Sequence, residues 1–95
     1  MEIRYLGHAT FELSDGDTTV LIDPFLGPSN PKAPVTADEV EPTHIVVTHG
    51  HADHVADVIP VAKRTGAPVT AIVELANEFA EDLGEGHPVH DPNLG

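Results

Sequence analysis

The chain has 95 residues, with 16 Asp and Glu against 4 Lys and Arg and a formal net charge of -12, which marks one small acidic domain spanning residues 1–95. Four basic side chains, Arg4, Lys32, Lys63 and Arg64, cannot build the positive groove that a nucleic acid requires, and anionic membrane surfaces repel the chain for the same reason. The absence of Cys excludes disulfides and thiolate zinc sites, so any metal here is held by His, Asp or Glu.

The first elements expected are three strands: Ile3 to Leu6, Ala9 to Leu13 and Val20 to Ile22, apolar-rich segments bounded by turn residues. Asp15-Gly16 between the second and third is a hairpin signal, because glycine takes positive φ without a steric penalty. Prolines at 24, 28, 31 and 34 then forbid a central strand and predict an irregular loop. Thr36 with Glu39 suits the cap of one short helical turn. Ile45 to Val47, short and wholly apolar, reads as a strand buried on both faces.

Asp57 as N-cap, Pro60 in the first turn and Gly66 as the stop predict a helix from about Val58 to Thr65. Pro68 to Val73 suits a further strand. Leu75, Ala76, Phe79, Ala80 and Leu83 then repeat at helical spacing, a stripe expected to pack into the core, with Gly84 closing that helix. This order implies right-handed crossovers and a partly parallel sheet. The tail from Glu85 to Gly95 shows no clear element. Apolar residues at 40% suffice for a core, although so short a chain buries only about 60–65% of its unfolded surface.

The chemistry concentrates immediately after the apolar run at 45–47, in Thr48-His49-Gly50-His51-Ala52-Asp53-His54. From the chain's own His and Asp frequencies, H-x-H-x-D-H is expected about 0.003 times by chance. In an extended segment residues two apart point the same way, so His49 and His51 can grip one cation together. Asp53 and His54 point elsewhere and suit a second cation a few Å away. Neutral imidazole and carboxylate without thiolate favour zinc, with iron or manganese as alternatives, and an open coordination position carries water. A water bridged between two cations becomes hydroxide near neutral pH and attacks a carbonyl or phosphoryl centre, and Asp53 is placed both to ligate metal and to orient that nucleophile. The bland alternative is a solvated His-rich loop or a closed structural site.

H-x-H-x-D-H after an apolar strand resembles the metallo-β-lactamase superfamily of metal-dependent hydrolases. Tyr5-Leu6-Gly7-His8-Ala9-Thr10-Phe11, Leu21-Ile22-Asp23-Pro24-Phe25 and Ala62-Lys63-Arg64-Thr65-Gly66-Ala67 extend the likeness to the branch of uncharacterised hydrolases related to ascorbate-phosphate lactonases, across essentially the whole chain. The resemblance implies an α/β fold, the N-terminal half of an αβ/βα sandwich with a mixed sheet and two helices. It implies His49 and His51 on a first metal, Asp53 and His54 on a second, Asp23 as a buried aspartate supporting the metal loop, and His8 near the site mouth. Read without the family, Asp23 before Pro24 is a turn initiator and His8 a hydrogen-bonded structural histidine.

Members of that superfamily complete the sandwich with a second half that supplies another His to each metal and a bridging Asp. The sequence ends at Gly95 before any of these, so half a coordination sphere is expected, with His87 and His90 as ordinary loop imidazoles rather than replacement ligands and His44 as structural. The implied function is hydrolysis of an ester, lactone or phosphate-containing small molecule. The alternative is a non-catalytic metal-binding or self-assembling module that forms a homo-oligomer or meets a missing C-terminal half over an open sheet face. With no apolar run near ~18 residues and no basic-then-apolar leader, the chain is expected to be cytoplasmic. Its acid excess suits a halophilic host, in which counterions screen the self-repulsion, or serves solubility alone.

Overall fold

The computed structural model describes residues 1–6, 10–24, 35–48, 57–71, 73–84 and 86–90. Its centre is a six-stranded sheet whose spatial order follows the chain: β1 (Glu2–Tyr5), β2 (Phe11–Asp15), β3 (Thr18–Ile22), β4 (His44–Val46), β5 (Val69–Thr70) and β6 (Val89–His90). The first three strands pair antiparallel and β3 to β6 pair parallel, so the sheet is mixed. Helices α1 (Val58–Thr65) and α2 (Val73–Leu83) form the two later crossovers. The β2–β3 hairpin closes through Gly16 at φ +61, a positive first central residue of the kind that two-residue hairpin loops favour.

Register explains where the core sits. Leu21 pairs with Ile45, Ile45 with Val69 and Val69 with Val89, so these side chains form one row across the parallel strands on one face. Leu21, Ile45 and Val69 are fully buried there, packed with Val58, Val61 and Ala62 of α1 and Leu75 and Phe79 of α2. The apolar stripes of both helices thus close over a single side of the sheet. α1 ends as its sequence dictates: Gly66 takes the left-handed conformation at φ +76 and donates its N–H to the Ala62 carbonyl at 2.8 Å. Arg64, near the end of α1, holds the β3–β4 connection through Glu41 Oε1 at 2.8 Å, the Ala37 carbonyl at 2.8 Å and the Val40 carbonyl.

Neither described helix covers the opposite face. Tyr5, Phe11, Ile22 and Val46 make one row across it, and Ile3, Leu13 and Val20 a second. Ile3 is 68% exposed, Tyr5 57% and Phe11 37%, and the Tyr5 and Phe11 rings lie 5.2 Å apart. Val46 is therefore half-buried, and β4 is covered on the Ile45 side alone rather than on both.

Other expectations need correction. The strand expected at Pro68 to Val73 shortens to Val69–Thr70, because Val73 already begins α2. Val89–His90 forms a sixth strand in the tail, where Val69 and Ala71 donate to the Pro88 and His90 carbonyls at 3.0 Å. His87 is half-buried and its Nε2 donates to the Ala67 carbonyl at 2.7 Å, so it fastens the α1–β5 turn and is not a loop imidazole. Asp57 precedes α1 but makes no side-chain cap to it. Ala80 is exposed, one step off the buried stripe of α2. Thr36 and Glu39 close one hydrogen-bonded turn, with Glu39 Oε1 accepting from the Thr36 N–H at 2.8 Å. The prolines at 28, 31 and 34 lie outside the described residues.

The Gly66 conformation generates a stability prediction. An added Cβ meets no atom within 4 Å, so Gly66→Ala tests backbone conformation alone. It is expected to lower unfolding free energy by about 1 kcal/mol, read from the urea midpoint at unchanged slope. An unshifted midpoint would show that this cap contributes nothing.

Candidate functional site

β3, β4, β5 and β6 run parallel, so their C-terminal ends lie along one edge of the sheet, where open α/β sheets place their ligands. His49, His51, Asp53 and His54 follow β4 in the sequence; these four and His8 lie outside the described residues. What is described is the structure from which they emerge. Asp23 follows β3 and Thr48 follows Val47, directly before His49.

Asp23 is 3% exposed and sits at φ +48, in the left-handed region that a non-glycine residue enters rarely. Its N–H donates to the Val46 carbonyl at 2.9 Å and continues the β3–β4 ladder. In this parallel register the next bond of the ladder would run from the Thr48 N–H to the Asp23 main-chain oxygen. It does not: Thr48 N–H donates instead to Asp23 Oδ1 at 2.6 Å, and Thr48 Oγ1 donates to Asp23 Oδ2. The carboxylate has taken the place of the carbonyl. Such charge-assisted bonds are shorter and stronger than amide pairs, so they fix the residue that precedes His49 more firmly than a strand ladder would.

The displaced Asp23 carbonyl accepts from Thr10 Oγ1 at 2.7 Å, and Thr10 is fully buried. Two chain segments therefore converge on one residue: the segment two positions after His8 and the segment one position before His49. Thr48 and Thr10 carry no metal-ligand signature and pattern reading assigns them no role. The available signal was a hydroxyl residue inside an apolar run at Thr10 and a hydroxyl residue at the strand-to-motif junction at Thr48. Asp23 is a tightly bonded buried residue, not a simple turn initiator. His44 is exposed, with Nδ1 3.1 Å from Thr43 Oγ1, and His90 is exposed at the end of β6 on the site edge. His87 points to the Ala67 carbonyl and not to this edge.

The donor set fits a metal: three imidazoles and a carboxylate within six residues, after a parallel strand, with their leading residue pinned by a buried carboxylate. The profile of the metallo-β-lactamase superfamily matches residues 5–94. The chain belongs to the metallo-β-lactamase superfamily. It is 48% identical over 95 residues to a protein of Symbiobacterium thermophilum named "UPF0173 metal-dependent hydrolase", covering 100% of this chain and 41% of that one. A protein of the same name from Archaeoglobus fulgidus is 53% identical over 76 residues, 80% of this chain and 32% of its own. Among solved structures, Igni18, a metallo hydrolase from Ignicoccus hospitalis, superposes with a TM-score of 0.80 at 27% identity over 98% of this chain and 40% of that one. The superfamily chain thus spans about a third to two fifths of the length of these relatives, and the α/β half-sandwich expected from its sequence is present.

Asp23→Asn keeps the shape and the tolerance for positive φ but exchanges one acceptor oxygen for an amide. The variant is expected to lose about 1–3 kcal/mol of stability through the lost charge-assisted bond to Thr48. Chemical unfolding checks this, and a loss below about 0.5 kcal/mol would show that the carboxylate does not hold the strand end.

Proposed function

We propose that this chain is the N-terminal part of a metal-dependent hydrolase in which His49, His51, Asp53 and His54 hold one or two zinc ions, with iron or manganese as alternatives. The observation that carries the reading is the carboxylate-for-carbonyl exchange at Asp23, which fixes Thr48 and so the point from which the imidazole cluster starts. When bound, the metal supplies Lewis acidity and an acidified water for attack on an ester, lactone or phosphate-containing small molecule. His49 and His51 bind as neutral imidazoles from one side of the segment, and Asp53 orients the attacking water and receives its proton. Asp23 acts through Thr48, the residue before the cluster, without touching the reacting atoms, and His8 would lie near the mouth of the site by the family's pattern. Metal-site ligands held by such supporting bonds lose about 10–100-fold in affinity when the support is removed.

The purified chain is expected to retain stoichiometric transition metal by elemental analysis, and His51→Ala to lose it while keeping the wild-type circular dichroism. A chain that remains metal-free after growth and dialysis with zinc, iron and manganese overturns the reading.

A second reading concerns association, and the open sheet face favours it. Of the described strand residues on that face, Asp15 at its margin carries the lone carboxylate, in a chain with 16 acidic residues. Such depletion of charge around aromatic side chains is the composition of an interface core. We propose that two copies of this chain pack these faces together, each burying Tyr5, Phe11, Leu13 and Val20 against the other, with repulsion between the acidic rims screened by salt. Sedimentation is expected to show a dimer in about 2 M KCl that weakens in dilute buffer, and Phe11→Ser to shift it to monomer at both. A wild-type monomer at every salt concentration overturns self-association.

A further inference from the structure

The exchange at the end of β3 creates a need that the metal-binding reading does not itself meet. Once Asp23 turns to φ +48 and offers its carboxylate to Thr48, the Thr48 N–H goes to that carboxylate and not to the Asp23 main-chain carbonyl. A buried carbonyl is costly to leave without a donor, and the left-handed backbone is itself disfavoured for a residue with a Cβ. Both would pull Asp23 back toward the extended conformation, in which the carbonyl recovers Thr48 and the carboxylate loses it. The Thr10 hydroxyl, fully buried and 2.7 Å from the Asp23 oxygen, removes that pull.

We propose that Thr10 is a positioning residue for the metal loop: its hydroxyl, by accepting custody of the displaced Asp23 carbonyl as its hydrogen-bond donor, selects the Asp23 conformation from which the carboxylate grips Thr48. Thr10 is itself fixed, because its own carbonyl accepts from the Leu6 N–H at 2.9 Å and Leu6 is fully buried. The backbone that carries the hydroxyl is therefore tied to a buried residue of the β1 end. The γ-methyl packs and the hydroxyl selects, so the two halves of the side chain separate experimentally. This inference rests on the proposed metal site for its functional consequence but not for its structural one.

The test compares wild type, Thr10→Val and Thr10→Ser. Amide hydrogen exchange at Thr48 and at Ile45, followed by NMR without metal, reads the grip directly. Thr10→Val, isosteric but without a donor, is expected to speed exchange at Thr48 at least 10-fold more than at Ile45, and Thr10→Ser to restore it to within about threefold of wild type. A purely structural role would accelerate both amides by one common factor; that result, or an unchanged Thr48 in Thr10→Val, overturns the proposal. Should Thr10→Val fail to fold, the wild-type chain decides alone: a slowly exchanging Thr10 hydroxyl proton with scalar coupling to the Asp23 carbonyl carbon is expected, and its absence overturns the proposal. Zinc competition titration supplies the second arm, with affinity expected to fall about 10-fold in Thr10→Val and to recover in Thr10→Ser. Selective Thr48 exchange in a chain that binds no zinc would sustain the role of Thr10 while overturning the metal-dependent function.

Discussion

A side-chain carboxylate standing where a strand carbonyl belongs is the constraint on which the site edge depends. A parallel ladder positions neighbouring strands by amide bonds worth about 1 kcal/mol each, and at a strand end such bonds fray. Replacing the last one with two bonds to a buried carboxylate gives the β4 terminus a firmer anchor, at the point where the chain leaves the sheet for His49. The positive φ of Asp23 is the geometric condition for this replacement, since an extended Asp23 would present its carbonyl to Thr48 instead. Strain at this residue is thus tied to the start of the His-rich segment and not to the core, which lies one register step away at Leu21 and Ile45.

The same register logic divides the sheet. Residues in the Leu21–Ile45–Val69 row face the helices and are fully excluded from water. The alternate residues face away and form an apolar surface on which the aromatic pair Tyr5 and Phe11 stays accessible. Charge within β1 and β2 follows the division except at marginal Asp15: Arg4 and Glu12, paired across the strands at 3.3 Å, lie on the side of Leu21. A sheet with polar side chains directed away from an apolar, uncovered face is not built to meet water there, whereas an ordinary half-exposed antiparallel sheet is polar on its open side.

Much of this was legible in the sequence because local signals agreed with the fold. Gly66 and Gly84 end the helices where they stand, the Asp15-Gly16 pair closes its hairpin, and the apolar stripes of Val58–Val61–Ala62 and Leu75–Phe79 pack as their spacing requires. Misreadings arose where tertiary context decides. Val89–His90 is too short for alternation and sits between prolines, and it becomes a strand only because β5 offers a parallel edge. Val46 looks doubly buried because apolar runs in sequence do not reveal which sheet face lacks a cover. At the site, the imidazole cluster announces itself by composition, while Thr10 and Thr48 act through hydroxyls and backbone geometry across 13 and 25 positions from Asp23, separations at which sequence periodicity carries no information.

The acid excess does not substitute for this architecture. A net charge of -12 raises the cation concentration around the whole surface, but that field extends only about 8–10 Å at ordinary ionic strength and about 3 Å in 1 M salt. It is also indifferent to the identity of the ion. In concentrated salt, monovalent counterions would occupy the surface carboxylates, and discrimination in favour of a transition metal would have to come from ligand type, which the proposed imidazole ligands supply. The more saline the surroundings, the more the function rests on contacts of a few Å. This is why the anchoring of one strand end by Asp23 matters more to the proposed cation site than all the carboxylates displayed outside it.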